Sequence, residues 1–256
     1  QDFLKSCSTC ISETIDDTFT SELSTTIEQI RDSIKSGGNI YVISDPESKF
    51  AAKHLIEELQ VRYIAGSQFH RADREALPCQ NLTDCCPLTI QKLSRRFQLK
   101  DTVICFVNKD PSDELKKAIL GISTRGTRVH LVGSHSLENG ISYKNLNDNK
   151  LVSILNRITL HLMCDGFEKE YKTAEGAVKT AKDSLGALIE NCLKSEDLIG
   201  KIETFAKKVD SDTPSFFIAN GGSACDGREA VHNWRQKGIL ATDFLDSGFL
   251  TCAYND

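Results

Sequence analysis

The stretch Ser215-Phe216-Phe217-Ile218-Ala219-Asn220-Gly221-Gly222-Ser223-Ala224-Cys225-Asp226 decides how the chain is read. Ser215 to Ala219 follow Pro214 and are mostly apolar, which reads as a strand, and helical sequence runs from about Ser223 to Lys237. Asn220-Gly221-Gly222 is the tight turn between them. A strand that passes through a glycine turn straight into a helix gathers several backbone N–H groups, and the positive end of the helix dipole, around one point. Glycine lets the backbone approach a ligand without a Cβ in the way, and Ser223 adds a hydroxyl donor. Asn220, Gly221, Gly222 and Ser223 are therefore expected to hold a phosphate group.

Upstream, the same order of helix, strand, tight turn and helix occurs once more. Leu23, Ile27, Ile30 and Ile34 recur at helical spacing from Ser21 to Ile34, and Gly37-Gly38 stops that helix. The β-branched run Asn39 to Ile43, the turn Ser44-Asp45-Pro46 and a helix from Ser48 to Gln60 follow. Two further apolar runs, Thr102 to Val107 and Arg128 to Val132, flank the helical pattern Ser112 to Ile122 as parallel strands joined by a crossover helix would. An amphipathic helix, Asn149 to Phe167, closes this unit. Strand, helix, strand in this order implies an α/β doubly wound parallel sheet.

The chain then starts again, with helical sequence from Thr173 to Val209, broken near Ser195-Glu196-Asp197, ahead of the strand at Ser215. Two or three strands can be drawn between 215 and 253, whereas a doubly wound sheet needs about five. The expected organisation is thus a helical lead-in over 1–20, a whole unit over 21–170, and the N-terminal half of a second unit over 171–256.

With 31 Lys+Arg against 36 Asp+Glu there is no basic arm or patch, so nucleic acid is not an expected partner. The ten cysteines sit in a chain too long and too rich in Lys and Glu for a secreted disulfide scaffold and read as thiols. Cys7-Ser8-Thr9-Cys10 has no second pair at zinc-finger distance and no preceding strand, so it reads as a fortuitous spacing. No apolar run approaches the roughly 20 residues a membrane span needs, and the N-terminus lacks a charged start followed by an apolar stretch. The expected location is cytoplasmic, with no membrane partner.

From Phe216 to Asp226 the sequence resembles the first phosphate loop of the sugar isomerase (SIS) family, especially the sedoheptulose 7-phosphate (phosphoheptose) isomerases. The similarity continues at Thr251-Cys252-Ala253-Tyr254-Asn255-Asp256. The resemblance implies a flavodoxin-like sheet, a sugar phosphate as ligand, a homo-oligomer (dimer or tetramer) with sites shared between subunits, and a place in supplying the heptose of lipopolysaccharide. Residues 21 to 168 resemble the same family, and Ile34-Lys35-Ser36-Gly37-Gly38-Asn39-Ile40-Tyr41-Val42 is similar to its entry into the first strand. The loops differ: Asp45-Pro46-Glu47-Ser48 stands where the family has Asn-Gly-Gly-Ser, and Val107-Asn108-Lys109-Asp110-Pro111-Ser112 where it has Ser-Thr-Ser-Gly-Asn-Ser. Ser48 and Ser112 alone stay in register as phosphate contacts, and carboxylates at 45 and 47 would repel a phosphate.

The acid/base positions run the other way. His54 and Glu58, four apart, share a helix face and match the family's His and Glu, the Glu being its catalytic base. His161, closing Ser153-Ile154-Leu155-Asn156-Arg157-Ile158-Thr159-Leu160-His161, matches the catalytic His of the last helix, with Ser153 where a Gln is expected; Arg62 fits a position close to the sugar. In some of these isomerases the same residues bind zinc, so the resemblance offers His54, Glu58 and His161 as a zinc set, while no cofactor is required. Counted from Asn220, the second unit has Glu229 at the His position and Asn233 at the Glu position, with His232 one residue off. The expected function is therefore aldose–ketose isomerisation at a composite site, with the phosphate loop of one unit facing the acid/base set of another. The alternatives are a catalytically inactive phosphosugar-binding regulator or scaffold, and an oligomerisation module without a ligand. On residue patterns alone, His54 and Glu58 also fit a solvated helix pair, His161 a core histidine, and Ser48 and Ser112 plain N-caps.

Overall fold

A computed structural model of the chain describes residues 2–61, 76–108, 111–133, 140–143, 146, 148–167, 173–209, 213–219 and 223–243. It divides into two compact units, Thr9–Ser184, and Leu185–Asp256 together with Gln1–Ser8. Helix α1 (Asp2–Thr14) opens the chain and carries Cys7 and Cys10 one turn apart; both are buried thiols, so the CxxC spacing is a helical one. Helix α2 (Asp17–Lys35) starts where the Asp16 carboxylate accepts the Phe19 N–H at 2.7 Å. It ends in the doubly bonded glycine cap that Gly37-Gly38 predicts: Gly37 N–H donates to Ile34 O, Gly38 N–H donates to Ser33 O, and Gly37 has φ +74°.

Strand β1 (Ile40–Ser44) follows, then α3 (Lys49–Val61), β2 (Cys79–Asn81), α4 (Pro87–Leu93), β3 (Thr102–Val107), α5 (Asp113–Ser123), β4 (Arg128–Gly133), β5 (Gly140–Ser142) and α6 (Asn149–Phe167). The five strands form one parallel sheet in the order β2-β1-β3-β4-β5, the flavodoxin-like order, so the α/β doubly wound fold expected from the sequence is the fold observed. Every residue of β3 is buried because this central strand is covered on both faces. Val103, Cys105 and Val107 of β3, with Val129 and Leu131 of β4, pack on Ile90 of α4 and on Leu115, Ile119 and Ile122 of α5. The opposite face is covered by α2, α3 and α6. At the end of β4, Gly133 (φ +150°) lies against β3 so closely that a Cβ there would sit 1.7 Å from Val107 O.

Element boundaries fall within a residue or so of the sequence pattern for β1, α3, β3, α5 and β4, and α6 spans the range expected. Strands β2 and β5, three residues each, and the seven-residue α4 carry too little periodicity to be read in advance.

His130 sits on β4, 2% exposed, and among the described residues its Nε2 has no hydrogen-bond partner. Burial, reinforced by the nearby Arg128 charge, pushes its pKa down to about 4. The folded pKa lies below the unfolded one, so the neutral ring's contribution is fully present above about pH 6.5 and is lost as pH falls from there through 4. Unfolding by urea at pH 7 and pH 4.5 is expected to show wild-type losing about 2 kcal/mol more stability than a His130→Leu chain between the two pH values; equal losses would contradict a buried neutral histidine.

Helix α7 (Ala174–Lys194) spans the division between the units, and α8 (Glu196–Lys208) begins at the expected break, where Ser195 Oγ accepts the Leu198 N–H at 3.3 Å. Then come β6 (Ser215–Phe217), α9 (Ser223–Gln236) and β7 (Ala241–Asp243), a β-α-β unit whose two strands pair in parallel from Ser215↔Ala241 to Phe217↔Asp243. Phe217 meets Trp234 of α9 edge-on, ring centroids 4.9 Å apart, while Phe216 on the other face is exposed. Among the described residues this second sheet has two strands.

Candidate functional site

In the first unit β1 connects toward β2 on one side and β3 toward β4 on the other, so the crevice between the carboxyl ends of β1 and β3 is the topological switch point, where open α/β sheets place ligands. The loops there are residues 45–48 and the start of the segment after Val107. The half-buried Asp45 carboxylate bridges them: Oδ1 accepts the Ser48 N–H at 2.7 Å and Oδ2 accepts the Asn108 N–H at 2.6 Å. Asn108 Nδ2 also donates to Glu47 Oε2 at 3.0 Å. Burial raises the Asp45 pKa, opposed by the Asn108 and Ser48 hydrogen bonds, with the Glu47 charge adding to the rise.

Ser48 is buried and stands immediately before α3, with its hydroxyl turned to the core, where it accepts from Asn156 Nδ2 at 3.4 Å. Behind Asn156, the fully buried Tyr143 hydroxyl donates to Asn156 Oδ1 at 3.0 Å and accepts from Thr159 Oγ1 at 2.8 Å. This chain of polar contacts locks the start of α3 to α6. Ser112 is exposed and caps α5, its Oγ accepting the Leu115 N–H at 3.2 Å.

Further along the same two helices, three side chains converge. His54 is 3% exposed; its Nε2 lies 3.2 Å from Glu58 Oε1, one turn on along α3, and its ring meets that of His161 on α6 edge-on, with centroids 4.9 Å apart. Helical spacing alone puts His54 beside Glu58; His161 reaches them because α3 and α6 pack side by side. The His54–Glu58 pair is thus not a solvated surface pair. A carboxylate next to two imidazoles is a set of groups suited to taking and returning protons near neutral pH. Among the described residues no group of three or more His, Cys, Asp or Glu side chains is arranged to hold a metal ion.

In the second unit Ser223 is the first residue of α9 and is exposed, which leaves its hydroxyl available at the helix start. Asn220, Gly221 and Gly222 lie outside the described residues, as do Arg62 and Thr251 to Asp256. Glu229 is buried, and the exposed His232 has its Nε2 2.9 Å from Gln236 Nε2.

Sequence reasoning missed the role of Asn108 and the Tyr143–Asn156–Thr159 group. The Asp45-x-x-Ser48 spacing is that of a side chain accepting a local backbone N–H and is a usable signal for half of the Asp45 arrangement. Nothing local signals Tyr143, whose partners lie on a helix that follows it.

No protein-family model and no curated protein sequence matches the chain. Solved structures do resemble it. A Silicibacter pomeroyi protein assigned as a phosphosugar isomerase aligns with a TM-score of 0.65 at 10% identity, covering 94% of this chain and 69% of that one. A Salmonella typhimurium LT2 protein assigned as sugar-binding aligns at 0.59 and 10% identity over 100% and 76%. A phosphoheptose isomerase from Francisella tularensis aligns at 0.52 and 14% identity, covering 64% of this chain and 93% of that one. At these identities the likeness shows the fold: the chain has the flavodoxin-like α/β fold of phosphosugar isomerases.

Proposed function

We propose that this chain, which shares the fold of phosphosugar isomerases, binds a sugar phosphate and interconverts its aldose and ketose forms, sedoheptulose 7-phosphate being the substrate to try first. The observation that carries the reading is the meeting of His54, Glu58 and His161 from two helices. In the proposed reaction Glu58 removes the proton from the carbon beside the carbonyl and returns it to the neighbouring carbon. An imidazole, His161 or His54, gives a proton to the carbonyl oxygen and accepts one from the adjacent hydroxyl, so the step needs no oxidant or reductant. The phosphate is gripped by Asn220, Gly221, Gly222 and Ser223 of another unit, Arg62 faces the sugar, and the chain works as a homo-oligomer that supplies such a pairing. On this reading 21–170 and 171–256 are one whole and one half SIS-like domain.

A non-catalytic sugar-phosphate sensor or scaffold is the second reading. It is favoured by the Asp45 carboxylate, which takes the Ser48 and Asn108 N–H groups in the very unit that carries the acid/base set. Incubating the chain with sedoheptulose 7-phosphate and quantifying the aldose product decides between them. Product formation above the uncatalysed rate is expected; ligand-induced thermal stabilisation without product would establish the second reading instead.

A further inference from the structure

The switch-point crevice of the first unit has every part of an anion cradle. The N–H of Ser48 points out of the loop that starts α3, a thirteen-residue helix whose positive end lies there, and the N–H of Asn108 points out of the end of β3. Both N–H groups converge on one carboxylate, each oxygen taking one of them at 2.7 and 2.6 Å, as two oxygens of a bound anion would. That carboxylate belongs to the chain itself. A second negative group, Glu47, is held at the rim by the Asn108 side-chain amide at 3.0 Å.

We infer that Asp45 is a specificity-determining residue that acts as a tethered substitute for a ligand anion: it fills the first unit's cradle and excludes phosphate from it. The repeat in the sequence carries the same point. Asp45-Pro46-Glu47-Ser48 aligns with Asn220-Gly221-Gly222-Ser223, and the two differences that matter put carboxylates where the second run has an amide and a glycine. A tethered carboxylate competes at an effective concentration no free metabolite reaches, and its hydrogen bonds tie β1 to β3 at the same time. The cradle therefore serves the fold, which explains why a strand, loop and helix of ligand-binding geometry persist without the ligand-binding residues. This inference stands apart from the proposed isomerase activity, since it concerns the other loop.

The test is amide-resolved NMR of the full chain titrated with inorganic phosphate. In wild-type, the Ser48 and Asn108 amides are expected not to respond. In a D45N/E47G chain, which removes both carboxylates and keeps Ser48, they are expected to shift saturably, with phosphate binding at least tenfold tighter there than in wild-type. Phosphate-dependent shifts at these two amides in wild-type would overturn the inference, as would silence in a D45N/E47G chain that keeps the native spectrum elsewhere. Should the double variant not fold, D45N alone retains an oxygen acceptor for one N–H and loses the charge; it must show the same response, more weakly, and its silence in a folded chain counts against the inference equally. Responses at Ser223 are read separately in the same spectra, so failure of the second loop to bind leaves the result at Asp45 intact.

Discussion

Glu58→Gln is expected to lower kcat/KM for sedoheptulose 7-phosphate by about 10²–10⁴-fold while leaving the fold in place. The Glu58 side chain is 20% exposed and its Oε1 lies 3.2 Å from His54 Nε2. An amide of the same shape keeps a polar contact with the imidazole, so the α3–α6 packing has no reason to change. What the amide lacks is basicity: it cannot take the proton from the carbon. The loss should appear mainly in kcat, with thermal unfolding within a few degrees of wild-type. His161→Ala in the same assay is expected to lose less, because His54 stays next to Glu58. A Glu58→Gln chain with unaltered turnover would remove the acid/base assignment, and with it the isomerase reading, whatever the ligand proves to be.

Ser223→Asp is expected to abolish stabilisation by the sugar phosphate without destabilising the chain. A carboxylate at the first position of α9 suits the helix dipole and should leave the melting temperature unchanged or slightly raised. The same carboxylate faces the phosphate dianion that the loop is proposed to hold. At about 4 Å and an effective dielectric near 20, each pair of unit charges repels by about 4 kcal/mol; with Ser223 exposed and solvent screening the site, a loss of about 10²-fold in affinity is the conservative figure. The readout is the shift in melting temperature on adding sedoheptulose 7-phosphate, present in wild-type and absent in Ser223→Asp. An equal shift in both would place the ligand elsewhere.

The proposed phosphate loop is legible from a short run of sequence because its chemistry would be local: an apolar strand pattern, two glycines and a helical pattern follow one another, and backbone N–H groups at a helix start need no distant partner. The pairing of His54 with Glu58 is legible for the same reason, four residues being one helical turn. The central strands are equally plain, since β3 buries all six residues and so reads as an unbroken apolar run.

Spacing within one element or one turn is enough to set the class of fold, the order of its main strands and helices, and the pairing of His54 with Glu58. Which distant groups meet depends on how the elements pack. His161 joins His54 because α6 returns to pack beside α3 after more than a hundred residues. Asp45 spans β1 and β3 because parallel pairing brings Asn108 to the end of its neighbour. Tyr143 reaches Asn156 and Thr159 because β5 and α6 close the sheet around it. Such contacts depend on register and helix packing across long stretches of chain, and no short-range pattern of residues encodes them.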